Sequence, residues 1–252
     1  MNRTMIVFLG AAGAFLMTAG AAMAQDGRQI MEEVQKRQKS TSMRYEGTIQ
    51  TVQIGTKHIV TKHWTSARLG VLGSSKTIIR FTGPPEVKGV ALLVVNHPTT
   101  ASDEWFWRPS VGREQRIAVQ DRSQRFLGTD FSYEDLEERD VDQYDYKLTG
   151  EAGGQWRIDA HPRKPSQYTH LYFFVDKTMY VFNQVEGYFK KGGGRTIDYT
   201  NYKQVQGIWT PSAVLIVDGI AKSRTVLTYD KVEYNLPMKD EDFTVEALRR
   251  GD

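Results

Sequence analysis

The sequence contains no cysteine. That absence excludes a disulfide framework, a thiolate nucleophile and any cysteine-based metal site. It also removes the residue on which a bacterial lipoprotein carries its lipid, a cysteine at the cleavage site. Proline is scarce, 8 in 252 residues, and no Pro- or Ser-rich linker divides the chain. Neither sign of charge is in marked excess: 33 basic against 30 acidic residues give a formal net charge of +3. This is too little for a dedicated nucleic-acid binder, and no basic run interleaved with aromatics is present, so no nucleic-acid partner is expected. Beyond the N-terminal segment no stretch reaches the ~18 consecutive apolar residues needed to span a bilayer. Catalytic motifs are missing too. His58, His63, His97, His161 and His170 form no HExxH or comparable ligand pair, and no G-x-S-x-G elbow occurs. Gly192 to Gly194 precedes a strand pattern and not the helix of a phosphate cradle, which leaves a hairpin turn. No metal or cofactor is expected.

What is there begins with an export signal. Arg3 supplies one positive charge, Met5 to Met17 is uncharged and apolar, and Ala22-Met23-Ala24 ends the segment with small residues. This is the three-part pattern of a secretory signal peptide spanning residues 1–24. Cleavage after Ala24 starts the mature chain at Gln25 with a net charge of about +2. Such a protein is released into the periplasm without a lipid tether.

The mature chain opens with a helix. Asp26 can cap it, and Ile30, Met31 and Val34 recur at helical spacing. The period then changes to two. Alternation predicts strands at Arg44–Ile54, Lys57–Ala67, Lys76–Thr82, Val90–Asn96, Glu104–Arg108 and Gln115–Val119. A second series covers Tyr144–Leu148, Gln155–Ala160, Tyr168–Val175, Met179–Phe189, Arg195–Tyr202, Ser212–Val217 and Arg224–Tyr234. Turn signals separate them and no long crossovers intervene. One large antiparallel sheet follows, and at this strand number it must curl. The expectation is a mainly β protein with some α structure: a single domain over residues 25–252, its sheet an incomplete barrel with helices over the open side.

Two features bear on function. Asp130, Glu134, Asp135, Glu137, Glu138 and Asp140 crowd one segment, and a helix over Tyr133–Asp140 capped by Ser132 would set Glu134 and Glu138 on one face. A pair of carboxylates suits a glycoside hydrolase. A solvated acidic helix face is the simpler reading, and the spacing does not favour catalysis. The aromatics form the second feature. Trp105 and Trp107 share one strand face, Phe173 opposes Tyr172 and Phe174, and Tyr180 and Phe182 share a face in the next strand. Strands apolar on both faces imply either a covered sheet or an apolar cavity for a greasy ligand. Under the second reading Trp105, Trp107, Phe173, Tyr180 and Phe182 are candidate lipid-binding residues.

The run from Trp105 to Leu136 is the most specific signal. An aromatic strand ends at Pro109, a basic segment runs from Arg113 through Arg116 to Ile117, and Phe126-Leu127-Gly128-Thr129-Asp130-Phe131-Ser132-Tyr133-Glu134-Asp135 follows. This resembles the signature of a bacterial family of outer-membrane lipoprotein-sorting proteins, relatives of the periplasmic carrier LolA. The resemblance implies an unclosed antiparallel barrel with helices as a lid over an apolar cavity. It implies a non-enzymatic carrier of a lipid or acylated lipoprotein, or alternatively an accessory protein of an inner-membrane transporter of the resistance-nodulation-division type. A secreted carboxylate-dependent hydrolase is the remaining alternative. The motif itself reads as structural: Gly128 makes a turn, Phe126 and Phe131 plug the core, and Asp130 or Ser132 caps a helix.

Overall fold

The computed structural model describes residues 26–56 and 58–250. The signal segment, its cleavage after Ala24, and the Lys57 end of one expected strand lie outside the described residues. Helix α1 (Gly27–Arg37) begins where the sequence requires. Asp26 accepts a hydrogen bond from the Gln29 amide at 2.8 Å while the Gln29 side chain accepts from the Asp26 amide at 3.3 Å. This reciprocal capping leaves Ile30, Met31 and Val34 on the buried face.

Thirteen strands then form one sheet: β1 (Ser42–Gln53), β2 (Ile59–Val71), β3 (Ser74–Gly83), β4 (Ala91–Val95), β5 (Asp103–Arg108), β6 (Arg113–Arg116), β7 (Tyr144–Ala152), β8 (Gln155–Pro162), β9 (Tyr168–Asp176), β10 (Phe182–Phe189), β11 (Gly194–Thr200), β14 (Ala213–Asp218) and β15 (Ser223–Tyr234). Their spatial order is β6-β5-β4-β3-β2-β1-β15-β14-β11-β10-β9-β8-β7, with every neighbouring pair antiparallel. The sheet is therefore not closed. Its free edges, β6 and β7, are consecutive in sequence, so the chain between them must cross the open side. A separate hairpin of β12 (Lys203–Val205) and β13 (Ile208–Thr210) is too short and polar to show in the alternation. The expected start of β10 at Met179 moves to Phe182. Asp176 accepts the Thr178 and Met179 amides there, and Tyr180 takes φ +53°, which breaks the strand.

The sheet curls because one face of every strand is shed into a common interior. Ile49, Trp64, Phe81, Leu92, Phe106, Ile158, Phe173, Ile197 and Leu227, drawn from strands across the whole order, belong to one buried cluster with Ile30, Met31 and Val34 of α1. Curling a sheet this wide needs breaks in register, and one falls between Glu46 and Gly47 of β1. A Cβ on Gly47 would sit 1.9 Å from the Thr228 carbonyl oxygen, so glycine permits the close approach of β1 and β15.

The outer face is bare except over β2–β5. There the C-terminal segment, residues 236–250, lays Phe243 and Leu248 against Ala91 and Leu93, with Trp105, Trp107, Ile78 and Met238 around them. Arg80 fastens this cover by donating to the Ala247 and Leu248 carbonyls, each at 3.1 Å. No helix among the described residues is long and apolar enough to cross a membrane.

Candidate functional site

The segment joining the two sheet edges, residues 117–143, forms a strap across the concave side. Its residues Phe126, Phe131, Tyr133 and Leu136 pack into the interior, while Val119 stays exposed. Phe126 is buried against Phe81 at 5.7 Å, Tyr133 at 5.5 Å and Phe106 at 6.4 Å between ring centroids. A tight turn places Phe126. Its amide donates to the Phe131 carbonyl at 2.8 Å, and Gly128 at φ +72° and Leu127 at φ +47° carry the chain round in the left-handed region.

The expected helix over Tyr133–Asp140 is one short 3-10 turn, Tyr133–Leu136. Ser132 and Asp135 still form its start, with Asp135 accepting from the Ser132 amide at 2.8 Å. Asp130 does not cap it. The acidic run is no solvated face either, because its carboxylates reach different parts of the surrounding structure: strands, helix α1 and neighbouring loops. Asp130, fully buried, accepts from Thr225 at 2.7 Å and also bonds Ser223 of β15 and Arg125 of the strap. Asp135 meets Arg195 of β11, accepts from the Tyr168 hydroxyl of β9 at 2.6 Å and pairs with Arg139 at 3.3 Å. Glu137 pairs with Arg122 at 3.1 Å and Lys164 at 3.0 Å and accepts from Ser102 at 2.8 Å. Glu138 accepts from Ser75 at 2.7 Å and the Gly73 amide at 3.1 Å and lies 3.3 Å from Arg68 of β2. Asp140 accepts from Gln35 of α1 at 3.1 Å. The strap is thereby pinned to strands on both sides of the curl.

Glu134 and Glu138 do not share a face, since the helical turn ends between them. Glu134 is held by Ser166 and by the Gln167 amide at 2.8 Å and borders a shallow groove with Val119 and Pro165. Glu138 faces the interior. Both carboxyls are committed to protein donors, and burial pushes both above the ordinary carboxylate range. Burial also penalises Asp135, but Arg195 and Arg139 outweigh it and hold that carboxyl low. Glu104, on the inner face of β5 and wholly buried, has Arg122 at 3.5 Å. Burial, with Glu137 beside it, pushes the Glu104 carboxyl up to about 8. No group of three or more His, Asp or Glu among the described residues could hold a metal ion.

Beneath the strap lies an apolar cavity of about 220 Å³. Tyr45, Ile49, Trp64, Ile79, Leu227 and Tyr229 form its floor, and Phe126, Phe131, Leu136 and Arg139 its roof. A second chamber of about 180 Å³ shares Met43, Tyr45, Tyr199 and Tyr229 with the first and runs on to Phe182, Tyr202 and Trp209 at the β12–β13 hairpin. Together they reach the lower end of the ~300–1,000 Å³ typical of ligand pockets.

Of the five aromatic candidates from the sequence, Phe182 borders this space. Phe173 is fully buried in the packed interior, 5.1 Å from Phe182. Tyr180 packs on Trp156 at 5.0 Å, with the Arg37 guanidinium 4.0 Å above its ring. Trp105 and Trp107 share a face as alternation demands, but it is the outer face, under the C-terminal segment. Phe106 takes the inner one. Arg116 pairs with Asp103 beside Trp105, and Arg113 lies exposed on edge strand β6. Sequence reasoning missed Tyr45, Trp64, Tyr199 and Tyr229, which ordinary strand alternation scattered over four strands.

A family model described as that of an uncharacterized protein matches residues 73–250. No curated protein matches the sequence. Among solved structures, an outer membrane lipoprotein-sorting protein domain from Vibrio parahaemolyticus is similar at a TM-score of 0.83 and 24% identity, covering 89% of this chain and 98% of that one. A DUF1329 family protein from Desulfovibrio piger aligns at 0.83 and 22%, covering 88% and 97%. A LolA superfamily protein from Nitrosomonas europaea aligns at 0.72 and 20%, covering 88% and 98%. The chain belongs to the uncharacterized-protein family whose model spans residues 73–250, and its fold is that of the outer membrane lipoprotein-sorting and LolA superfamily structures.

Proposed function

We propose that this protein is an exported, non-enzymatic carrier that takes an acyl chain of a lipid or acylated lipoprotein into the paired chambers under the strap and hands it between envelope components. The observation that carries the reading is the continuous lining from Ile49 and Trp64 to Phe182 and Trp209, roofed by Phe126 and Phe131. A mostly apolar space with tyrosines at its waist suits a linear hydrocarbon. About ten buried methylenes at ~0.8 kcal/mol each supply roughly 8 kcal/mol gross, micromolar before ordering costs are subtracted. Affinity in that range permits release to an acceptor of similar or greater affinity. An inner-membrane transporter, implied by the resemblance of the Trp105–Leu136 run, is the proposed donor or acceptor. The Met1–Ala24 signal supplies the route to the periplasm.

The test fills the chamber. Leu227→Trp places an indole where the floor now has a buried leucine. We expect displacement of a fluorescent fatty acid to weaken at least tenfold while the far-ultraviolet circular dichroism stays unchanged. A folded Leu227→Trp protein that binds the probe as tightly as wild type refutes the assignment.

A further inference from the structure

Three hairpin turns stand side by side at the end of the barrel away from the second chamber. They join β1 to β2, β14 to β15 and β10 to β11, and the sheet order makes them neighbours. They are tied together. The Ile54 amide donates to the Lys222 carbonyl at 2.8 Å, and the Gln53 side chain donates to the Ala221 carbonyl at 3.2 Å. The Gly219 amide donates to the Gly194 carbonyl at 3.3 Å, and the Ile220 side chain lies directly over Gly193. The result is a continuous ledge.

Its chemistry is unusual for a solvated surface. Ile54, Ile59 and Ile220 are 54%, 56% and 60% exposed, and they are the exposed isoleucines among the described residues. Around them stand the exposed cations Lys190, Lys191, Lys222 and Arg224. Within these turns the sole acid is Asp218, which is buried, accepts the Ile220 and Ala221 amides at 2.9 and 2.8 Å, and lies 3.6 Å from Arg195. Across the whole chain the two signs nearly balance, so this segregation is local.

We propose that this ledge docks the protein on an anionic phospholipid surface. Isoleucines on rigid turns can insert shallowly at the headgroup boundary, while the ring of cations meets lipid phosphates. An acidic protein partner would need the cations but gains little from three exposed isoleucines carried on separate turns. Twelve-residue β1 separates the ledge, at Gln53, from the second chamber, at Met43. Docking by the ledge therefore points the Phe182–Trp209 end away from the bilayer, toward a partner in the aqueous space. The inference does not depend on what the chambers hold.

The test uses protein isolated from the periplasm and sedimented with phosphatidylcholine vesicles, plain or containing roughly one-third phosphatidylglycerol. Wild type should partition onto the anionic vesicles, release with rising salt, and ignore the neutral ones. Each cation removed should lower the partition coefficient roughly fivefold. The triple variant Lys190→Gln, Lys191→Gln, Lys222→Gln should then bind at least fiftyfold more weakly, with an unchanged melting temperature. Ile54→Ser with Ile59→Ser should reduce binding while leaving its salt dependence intact. Equal binding to both vesicles, no vesicle binding by wild type, or a triple variant that binds like wild type overturns the proposal. None of these outcomes alters the Leu227→Trp displacement result, so the two readings fail separately.

Discussion

Glu104 offers the sharpest test of how the strap is held. Its carboxyl is completely buried, with Arg122 at 3.5 Å and Glu137 sharing that arginine. Glu137 is served by both Arg122 and Lys164, at 3.1 and 3.0 Å, which leaves Glu104 the shared guanidinium at 3.5 Å, and burial with Glu137 beside it keeps Glu104 protonated up to about pH 8. The sign follows from linkage. A carboxyl whose folded pKa lies above its unfolded value binds its proton more tightly when folded, so its contribution is present below the ordinary carboxylate range. That contribution is lost as pH rises to about 8. The ceiling is on the order of 4–5 kcal/mol over that interval, and relaxation and water penetration reduce it to roughly 1–3 kcal/mol. Glu104→Gln keeps the shape and neutrality of the protonated acid. Melting curves from pH 5 to 9 should show wild type losing stability with rising pH and the variant losing less, so that the variant is the more stable at pH 9 and near-equal at pH 5. A variant less stable than wild type at pH 9 would show that the ionised carboxylate is the stabilising form and refute this account.

Asp135→Asn should destabilise by ~3 kcal/mol at neutral pH, because it takes the nearest carboxylate from the buried Arg195 guanidinium and leaves it Asp218 at 3.6 Å. Its linkage has the opposite sign to that of Glu104: stabilisation by the Asp135 carboxylate is present above the ordinary carboxylate pKa and fades as pH falls through its lowered value, so the wild-type advantage should shrink in acid melts. Phe126→Ala should cost ~3–5 kcal/mol by emptying the contact with Phe81, Phe106 and Tyr133, measured by urea unfolding. Gly128→Val, at φ +72° with open space around it, should cost ~1–3 kcal/mol through backbone strain alone; an unchanged urea midpoint would contradict that. Trp105→Ala and Trp107→Ala should each lower the melting temperature by loosening the C-terminal cover, yet leave fatty-acid binding within about twofold, since both indoles lie on the outer face.

Twelve of the main sheet's thirteen strands were legible because period-two alternation reports a half-buried face wherever it occurs; the sixth, expected at Gln115–Val119, forms instead at Arg113–Arg116, a largely exposed edge with no such alternation, and Val119–Asp121 is a 3-10 turn. The helix start was legible from Asp26 and Gln29, three residues apart. The destinations of the side chains were not. Alternation puts Trp105 and Trp107 together without saying which side of the sheet is concave, and the cover over them comes from residues nearly 140 positions later. The acidic run misled for the same reason. Asp135 is buried by Arg195 and Tyr168, and Asp130 by Ser223 and Thr225, partners no local pattern reveals. The cavity floor drew one aromatic from each of several strands, so no window of sequence contained it.

The strand order has a consequence for how the chain comes together. From β1 to β6 the meander builds outward in one direction, and from β7 to β15 it builds back, so that the first and last strands of the chain meet at the middle of the sheet. Every other pairing in the sheet joins near neighbours in sequence and closes a short loop. The β1–β15 seam alone must close almost the whole chain, and chain-closure entropy makes it the slowest pairing to form. Each meander can pair its own strands first, with the N-terminal one waiting until the last strand arrives. Assembly is thus a docking of two half-shells along one central seam, with the strap as the covalent link between them.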